Sequence, residues 1–326
     1  MLANNGWNDE KRDTQHESEN IMNQSSPVVS LIIPFHNREE MLNQLIDTVP
    51  DIPEIEVIVV EDHSTEEVKI RRKFSKARMK RLSAPEGQRF AGAARNQGMR
   101  VAKGKYLCFA DSDDLLVTSE FEDVIQTISL RENIDVFYGL VDSFLHDTGA
   151  PGSRHMNMLW LASQVIRTDN SDFLFRMHGP IAKFIRRDFV ENQQLSFSST
   201  LVSNDVLFNF HMCAAARNFE IIEKVVYMIR EGNESLTTST RGSTERIWTR
   251  FEIQETYNQG LCQVGRRYMR CPGIGYIRQM WVLDRREAFK MMAHCAKGAT
   301  PLFALWTTLR FRIARKLWSR SRRDAT

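Results

Sequence analysis

The segment KYLCFADSDDLL, residues 105–116, runs from an apolar stretch directly into three aspartates within four positions. Its first half is typical of a buried β-strand, because apolar residues occupy successive positions. Alternate side chains at a strand end point the same way, so Asp111 and Asp113 are expected to converge. Two convergent carboxylates suit Mg²⁺ or Mn²⁺, which complete their oxygen shells with water and substrate phosphates. The same run is also typical of a solvated acidic loop that caps the next helix.

Two earlier apolar segments are predicted to be strands of the same sheet. VVSLII (residues 28–33) ends at Pro34, and EIEVIVV (residues 54–60) ends before Glu61 and Asp62. Further strands are expected at 79–82 and 135–141, with helices at 39–49, 65–75, 90–102 and 119–130. This alternation predicts an α/β fold with a mainly parallel, Rossmann-like central sheet flanked by helices. Ligands of such sheets bind at the carboxyl ends of the strands, which is where the polar residues lie.

The acidic pair after the second strand allows two interpretations. Glu61 or Asp62 could accept hydrogen bonds from a nucleobase N–H or from ribose hydroxyls. Asp62, Ser64 and Thr65 are equally typical of a helix N-cap, followed by glutamates that favour a first helical turn.

Three further positions also have a functional and a structural interpretation. Arg95, in the small-residue segment GAARN, either faces phosphates or is a surface arginine on a packed helix. Asp205, before the apolar run VLFNF, is either a general base or the N-cap of a helix. His178 is expected either to line a cleft or to be an ordinary packing residue.

The order and spacing of these motifs resemble family 2 glycosyltransferases of the GT-A fold. The matching segments are VSLIIPFHNREEMLNQLI, EVIVVEDHSTEE, AGAARNQGMRVAKGKYLCFADSDDLL, SNDVLFNF and RNFEIIEKVVYMIREGNESLT. The most specific of them carries the pattern AxxARNxGxxxAxGxYxxFxDxDD. The resemblance spans residues 28–240 and is strongest to bacterial enzymes that build capsule, lipopolysaccharide or other surface polysaccharides.

The resemblance implies a role for each candidate residue. Pro34, Glu61 and Asp62 would form the nucleobase pocket, and Arg95 would lie near the donor diphosphate. Arg230 would bind the donor near its diphosphate or lie near the acceptor. Asp111 would lie near the ribose or the metal, and Asp113 would bind Mn²⁺ or Mg²⁺. Asp205 matches the aspartate of the family's Glu-Asp pair and would be the catalytic base. Asn204 stands where the family has the glutamate, which removes a carboxylate expected to help orient the acceptor.

These roles imply an inverting, metal-dependent enzyme that moves a sugar from a nucleotide-sugar, by family frequency a UDP-sugar, to a hydroxyl of a glycan or lipid-linked acceptor. One alternative is a catalytically inactive subunit that binds sugar nucleotides or glycans, which Asn204 favours. Another is a nucleotidyltransferase, although residues 34–37 do not form the Gly-rich phosphate loop usual there. Dinucleotide and P-loop sites are not indicated, because neither GxGxxG nor GxxxxGK[ST] occurs.

Composition places the chain among ordinary globular proteins. Of its 326 residues 42% are hydrophobic and 26% charged, and the net charge of +3 does not indicate a nucleic-acid partner. Its five cysteines form no CxxC pair, which fits a reducing cytosol. We expect a disordered polar tail at 1–26, a catalytic domain at 27–240 and a helical C-terminal extension at 241–326.

The C-terminal extension ends in an apolar stripe surrounded by arginines. Its members recur at spacings of three and four: Leu302, Trp306, Leu309, Ile313 and Leu317. Residues 301–323 are therefore expected either to lie on an anionic membrane or to pack on the catalytic domain with a basic outer face. No apolar run reaches the ~20 residues of a membrane-spanning helix. A cytoplasmic enzyme is expected, peripheral on the inner face of the membrane in the first case.

Overall fold

The computed structural model describes residues 26–65, 68–87, 89–232, 243–303 and 318. An eight-stranded sheet crosses this part of the chain, with the strand order β3-β2-β1-β4-β7-β6-β8-β5. The strands are β1 (Val29–Phe35), β2 (Ile55–Glu61), β3 (Arg78–Ser83), β4 (Tyr106–Phe109), β5 (Leu115–Leu116), β6 (Val136–Leu145), β7 (Lys183–Arg186) and β8 (Phe219–Glu231). The pairs β1–β2, β1–β4, β2–β3 and β6–β8 are parallel, whereas β7 is antiparallel to both neighbours and β5 is antiparallel to β8. The predicted α/β class is confirmed.

Helices cover both faces of the sheet. They are α1 (Glu39–Thr48), α2 (Phe90–Val101), α3 (Thr118–Ser129), α4 (Met156–Thr168), α5 (Arg187–Asn192), α6 (Val206–Ala215), α7 (Thr244–Gln263), α8 (Ile274–Leu283) and α9 (Arg285–Lys297). Alternate residues of β1 enter opposite cores, as expected for a strand buried on both faces. Leu31 and Ile33 pack with α1 and α3, whereas Ile32 packs with α2, α4 and α6.

The first strand does not end at Pro34, as the sequence had suggested. Strand β1 continues to Phe35, and Pro34 lies opposite Val60 of β2. On its other side β1 pairs with β4 only as far as Ile32. Beyond that point the strand has one strand neighbour, so a residue without an N–H is tolerated there.

The helix predicted over 65–75 is wrong within the described residues 68–75, which form no helix. Their backbone polar groups bond to α1 instead of to one another. Asn43 donates to Lys69 O at 2.9 Å and accepts from Arg71 N at 2.9 Å. The Arg72 guanidinium donates to three carbonyls at the end of α1, at 2.7–2.8 Å. Arg72 therefore serves as a C-terminal cap of a neighbouring helix.

The predicted helical C-terminal part is confirmed for α7, α8 and α9. Helix α7 is fastened to the rest of the molecule through Tyr257, whose hydroxyl donates to Phe175 O at 2.9 Å. The Tyr257 ring also packs edge-on against Phe210 of α6, with centroids 5.7 Å apart. None of the described helices is long and apolar enough to cross a bilayer.

Two predicted segments fall largely outside the described residues. Of the polar tail at 1–26, the structure describes residue 26. Of the amphipathic segment at 301–323, it describes residues 301–303 and 318. The domain boundaries at 26/27 and 240/241 therefore stay predictions.

Candidate active site

The carboxyl ends of β1, β2 and β4 meet at one edge of the sheet, and most of the predicted site residues lie there. The loop after β4 carries Asp111 and Asp113, and the first turn of α6 follows Asp205. Arg95 of α2 lies between these two segments. The buried Arg95 donates to Asp111 Oδ1 at 2.6 Å and to Asn204 Oδ1 at 2.9 Å. One guanidinium thus joins the acidic loop to the segment that carries the predicted base.

The burial of Arg95 results from the close approach of α2 to residues 197–204. A Cβ on Gly92 would collide with Ser198 O, so a glycine is required at that point of the helix. The guanidinium lies over the Phe197 ring, 5.3 Å from its centroid. Arg95 is only 5% exposed, so the surface-arginine interpretation is wrong. Its buried Nε has no hydrogen-bond partner among the described residues.

The acidic loop is shaped by two residues of β8. The Tyr227 hydroxyl accepts from Asp111 N at 2.8 Å and donates to Asp114 Oδ2 at 2.9 Å. Arg230 donates from its backbone N to Asp114 Oδ1 at 2.8 Å and from Nε to Asp113 O at 2.7 Å. Strand β8 therefore fixes the loop backbone at both aspartates of the predicted metal pair.

Helix capping does not explain the acidic run. The N-cap of α3 is Val117, and no side chain caps that helix. Instead the carboxylates are crowded together. Burial and the charges of Asp111 and Asp113 raise the pKa of Asp114 well above its usual range. Burial and Asp111 also raise the pKa of Asp113, an effect that Arg38 opposes.

Asp113 forms an ion pair that the sequence did not suggest. Arg38 Nη1 lies 2.9 Å from Asp113 Oδ2, and both side chains are about one-third exposed. Arg38 and Asn37 have positive φ values of 65° and 52°, which turn the chain sharply after β1. The only sequence signal for Arg38 is its position just after a strand that ends at the site.

The arrangement of Asp111 and Asp113 fits a divalent cation that is bound by these carboxylates together with groups of a substrate. Asp111 and Asp113 each have one carboxylate oxygen engaged by an arginine, so the second oxygen of each is available. Among the described residues no group of three or more His, Cys, Asp or Glu side chains is placed to hold a metal ion. Mg²⁺ and Mn²⁺ are commonly bound by one or two carboxylates together with phosphate oxygens and water.

The predicted nucleobase pocket lies at the adjoining ends of β1 and β2. Glu61 pairs with Arg81 of β3 at 2.6 Å. The carboxylate of the partly buried Asp62 makes no hydrogen bond or ion pair with a described residue, so it is available to a ligand. The backbone of Asp62 is fixed by a bond from its N–H to Phe35 O at 2.6 Å. Pro34 lies one residue before that contact.

The capping interpretation of residues 62–65 is wrong, because no helix is found over 62–65 or 68–75. The polar side chains of that loop bond to the turn after β1. Ser64 Oγ accepts from Asn37 N, and Asn37 Oδ1 accepts from Thr65 N, both at 3.0 Å. The two loops therefore form one surface beside the acidic loop.

Asp205 occupies the N-cap position of α6, yet its side chain makes no capping hydrogen bond. The capping interpretation thus leaves its carboxylate unexplained. Burial raises the pKa of Asp205, while the positive charges of Arg95 and Lys183 oppose that rise. A carboxylate with a raised pKa is a stronger proton acceptor than an ordinary aspartate.

Lys183 is a buried cation behind this site that the sequence analysis did not single out. Its Nζ donates to Asn209 Oδ1 and to Met177 O, both at 2.5 Å. Asn209 lies in the first turn of α6 and donates its N–H to Asp205 O. Burial lowers the pKa of Lys183 to about 8. A lysine inside the apolar segment IAKFI was the available signal.

His178 packs edge-on against Tyr257, with ring centroids 5.2 Å apart. Burial, together with Arg176 and Lys183, lowers the pKa of His178 to about 3. The imidazole is therefore neutral at physiological pH, as the packing interpretation predicts. Arg230 is likewise engaged by the protein, since Nη1 lies 3.1 Å from His146 Nδ1 and Nη2 donates to Gln44 Oε1 at 2.8 Å.

Comparison with known families connects this geometry to a described group. The family model described as glycosyl transferase family 2 matches residues 30–198, just over half of the chain. The chain belongs to glycosyl transferase family 2. The matched span contains Arg95 and the acidic loop, whereas Asp205 and Arg230 lie beyond it.

Individual relatives are distant. The chain is 24% identical over 210 residues to the poly(ribitol-phosphate) beta-N-acetylglucosaminyltransferase TarP of Staphylococcus aureus (strain N315), covering 62% of each chain. It is 31% identical over 115 residues to the UDP-Glc:alpha-D-GlcNAc-diphosphoundecaprenol beta-1,3-glucosyltransferase WfgD of Escherichia coli, covering 34% of this chain and 45% of WfgD. The chain thus spans less than two thirds of the length of these curated relatives.

A solved structure of S. aureus TarS, residues 1–349 in complex with UDP-GlcNAc, superposes with a TM-score of 0.57 at 18% identity. The match covers 81% of this chain and 75% of that one. Likeness at this level of identity establishes the fold, and the GT-A fold expected from the sequence is confirmed.

Proposed function

We propose that this chain is an inverting glycosyltransferase. It would move a sugar from a UDP-sugar to a hydroxyl of a glycan or lipid-linked acceptor during cell-surface polysaccharide synthesis, at the inner face of the membrane. The observation that carries the proposal is the Arg95 bridge, which brings the acidic loop and the segment of Asp205 into one site. Donor-binding and proton-accepting groups of one transfer reaction have to be adjacent in this way.

The relatives support the choice of substrates. TarP is named for transfer of N-acetylglucosamine to poly(ribitol-phosphate), and WfgD for transfer of glucose from UDP-glucose to a diphosphoundecaprenol-linked sugar. The TarS structure holds UDP-GlcNAc. A UDP-sugar donor and a phosphate-bearing or lipid-linked acceptor are therefore the first substrates to test.

The proposed reaction is a single displacement at the anomeric carbon. Asp205 accepts the proton of the acceptor hydroxyl while that oxygen forms a bond to the anomeric carbon. The bond between this carbon and the donor diphosphate breaks in the same step, which inverts the configuration. Pro34 and the free carboxylate of Asp62 would contact the nucleobase.

Cations would stabilise the leaving diphosphate. A Mn²⁺ or Mg²⁺ ion held by Asp113 and Asp111 would supply Lewis-acid stabilisation of its developing charge. Arg95 fixes the orientation of Asp111 through the 2.6 Å contact, and it adds a positive charge beside the diphosphate position. Arg230 maintains the loop backbone through Asp113 O and Asp114 Oδ1, so we assign it to positioning the donor site.

A panel of nucleotide-sugars tests the proposal. Each is incubated with the full chain and MnCl₂ or MgCl₂, with and without a lipid-linked saccharide acceptor, and scored for nucleotide release and thermal shift. We expect one UDP-sugar both to raise the melting temperature and to release UDP when acceptor is present. Stabilisation by a nucleotide-sugar without turnover under any condition would favour the inactive binding subunit. Release of pyrophosphate from a nucleoside triphosphate and a sugar phosphate would favour a nucleotidyltransferase.

A further inference from the structure

The hairpin of α8 and α9 ends in a solvent-exposed corner, residues 281–286. Helix α8 ends at Leu283 and α9 begins at Arg285, so the corner is tight. Large apolar side chains are exposed on it: Trp281 (41%), Val282 (83%), Leu283 (45%) and, one turn later, Phe289 (57%). The core of the hairpin is built from other residues, among them Ile277, Met280, Ala288 and Met291. The exposed set is therefore not required to hold the two helices together.

These four exposed side chains make up a surface patch in which two aromatic rings are in contact. The rings of Trp281 and Phe289 lie 5.2 Å apart in an edge-on arrangement, and the Arg285 guanidinium lies 5.8 Å above the Trp281 ring. Monomeric proteins seldom leave several large apolar side chains together on the surface unless they bind something there.

The charges around the patch are mainly positive and uncompensated. Arg278, Arg285 and Arg286 are exposed and form no ion pair with any residue in the described part of the chain. The nearby carboxylates are engaged elsewhere. Asp284 caps α9 by accepting from two backbone N–H groups, and Glu287 pairs with Lys290 at 2.6 Å.

We propose that this hairpin corner docks into the headgroup region of an anionic phospholipid bilayer. Tryptophan prefers the boundary between water and hydrocarbon, and aliphatic side chains beside it can enter the acyl region. Arginines next to such an anchor bind anionic headgroups. A second copy of this chain suits the patch less well, because two-fold pairing would bring the same unpaired arginines together. The proposal goes beyond sugar transfer, since docking requires neither donor nor turnover.

Vesicle flotation with the full chain tests the docking. We expect it to float with vesicles of phosphatidylcholine and phosphatidylglycerol and to bind pure phosphatidylcholine much less. The pair Val282→Asp and Leu283→Asp should weaken binding at least tenfold, because it places charges in the acyl region. The pair Arg285→Gln and Arg286→Gln should weaken binding about thirtyfold, since each arginine near an anionic surface contributes about fivefold.

Matched controls separate the corner from general surface effects. Leu130→Asp alters a leucine that is 85% exposed at the end of α3, and Lys73→Gln with Lys76→Gln removes two exposed charges elsewhere. Both should bind vesicles like the wild type. The melting temperature of every variant, measured without donor, verifies folding and keeps this result independent of the proposed transfer activity.

Three results would overturn the docking proposal. The corner variants could float as well as the wild type, or the controls could lose as much binding as the corner variants. Alternatively, light scattering could show a dimer that the corner substitutions convert to a monomer, which would assign the patch to a second copy of the chain.

Discussion

Arg95 and Asn204 are 109 positions apart in the sequence, yet Arg95 Nη1 donates to Asn204 Oδ1 at 2.9 Å. The same guanidinium reaches Asp111 Oδ1 at 2.6 Å through Nη2. Asn204 is the position at which this chain departs from the Glu-Asp pair of the family it resembles. The amide oxygen accepts from Arg95 without adding a negative charge beside Asp205, whose pKa is already raised by burial. Asn204, although it replaces the family's glutamate, therefore takes part in the bridge through Arg95.

We expect Asn204→Ala to lower the free energy of unfolding by about 1.5–3 kcal/mol, because a hydrogen bond to a charged group is lost. Transfer should fall as well. Without Asn204, Arg95 keeps only its contact with Asp111, so it orients that carboxylate less firmly. Urea denaturation and initial-rate measurements check these two effects. Asn204→Asp keeps an acceptor at this position and serves as the control for the stability measurement. Equal losses in both variants would show that the bridge is not the cause.

Asp113→Ala is expected to abolish transfer, because it removes the carboxylate assigned to the cation together with its ion pair to Arg38. UDP release from a UDP-sugar in the presence of Mn²⁺ measures the loss. Asp123→Ala, at an exposed ion pair with Lys224, is the control and should be fully active. Normal turnover of the Asp113 variant would refute the site.

The pH dependence of transfer should reflect Asp205. A general base acts only when deprotonated, and burial raises the pKa of this carboxyl. Activity is therefore expected to fall, as the pH is lowered, at a higher pH than an ordinary aspartate would give. In Asp205→Asn this acidic limb should vanish and turnover should fall by about 10²–10⁴-fold, while UDP-sugar binding is retained. A pH–rate profile of the wild type and the variant tests the acidic limb, and the thermal shift caused by a UDP-sugar tests retained binding.

Lys183 should make stability depend on pH on the alkaline side. Burial lowers its pKa to about 8 in the folded chain, below the ordinary lysine value of 10.5, so the unfolded chain binds more protons between these pH values. The free energy of unfolding therefore rises across that window, by up to about 3 kcal/mol. Urea denaturation of the wild type and Lys183→Met at pH 7 and pH 10 gives the comparison. An unchanged difference between the two proteins would contradict the assignment.

Tyr227→Phe removes the hydroxyl that joins Asp111 N to Asp114 Oδ2. We expect the apparent affinity for Mn²⁺ to fall about 10–100-fold, as is typical when a group that orients metal ligands is lost. Tyr106→Phe is a matched control, because the buried Tyr106 hydroxyl has no hydrogen-bond partner among the described residues. Metal titration of transfer activity distinguishes the two. If both variants behave alike, Tyr227 has no special role at the loop.

The sequence was informative wherever a local pattern reports burial. Strand β1 alternates its side chains between two cores, and its uniform apolar run indicated a strand buried on both faces. The aspartates of the acidic loop follow β4 directly, so their position at the carboxyl edge followed from the strand assignment. The helix predicted at 65–75 is wrong within the described residues 68–75, because their backbone bonds go to α1. The sequence of this stretch has no apolar periodicity that would indicate such a contact.

Amino-acid order alone determined the class of fold, the edge of the sheet at which the site lies and the aspartates that crowd there. Tertiary structure alone decided which groups hold them: Arg38, Tyr227 and the bridge through Arg95. The physical reason is the difference in sequence separation. Periodicity and capping signals extend over a few residues, whereas these contacts join side chains that only the crossing of strands and helices brings within hydrogen-bond distance.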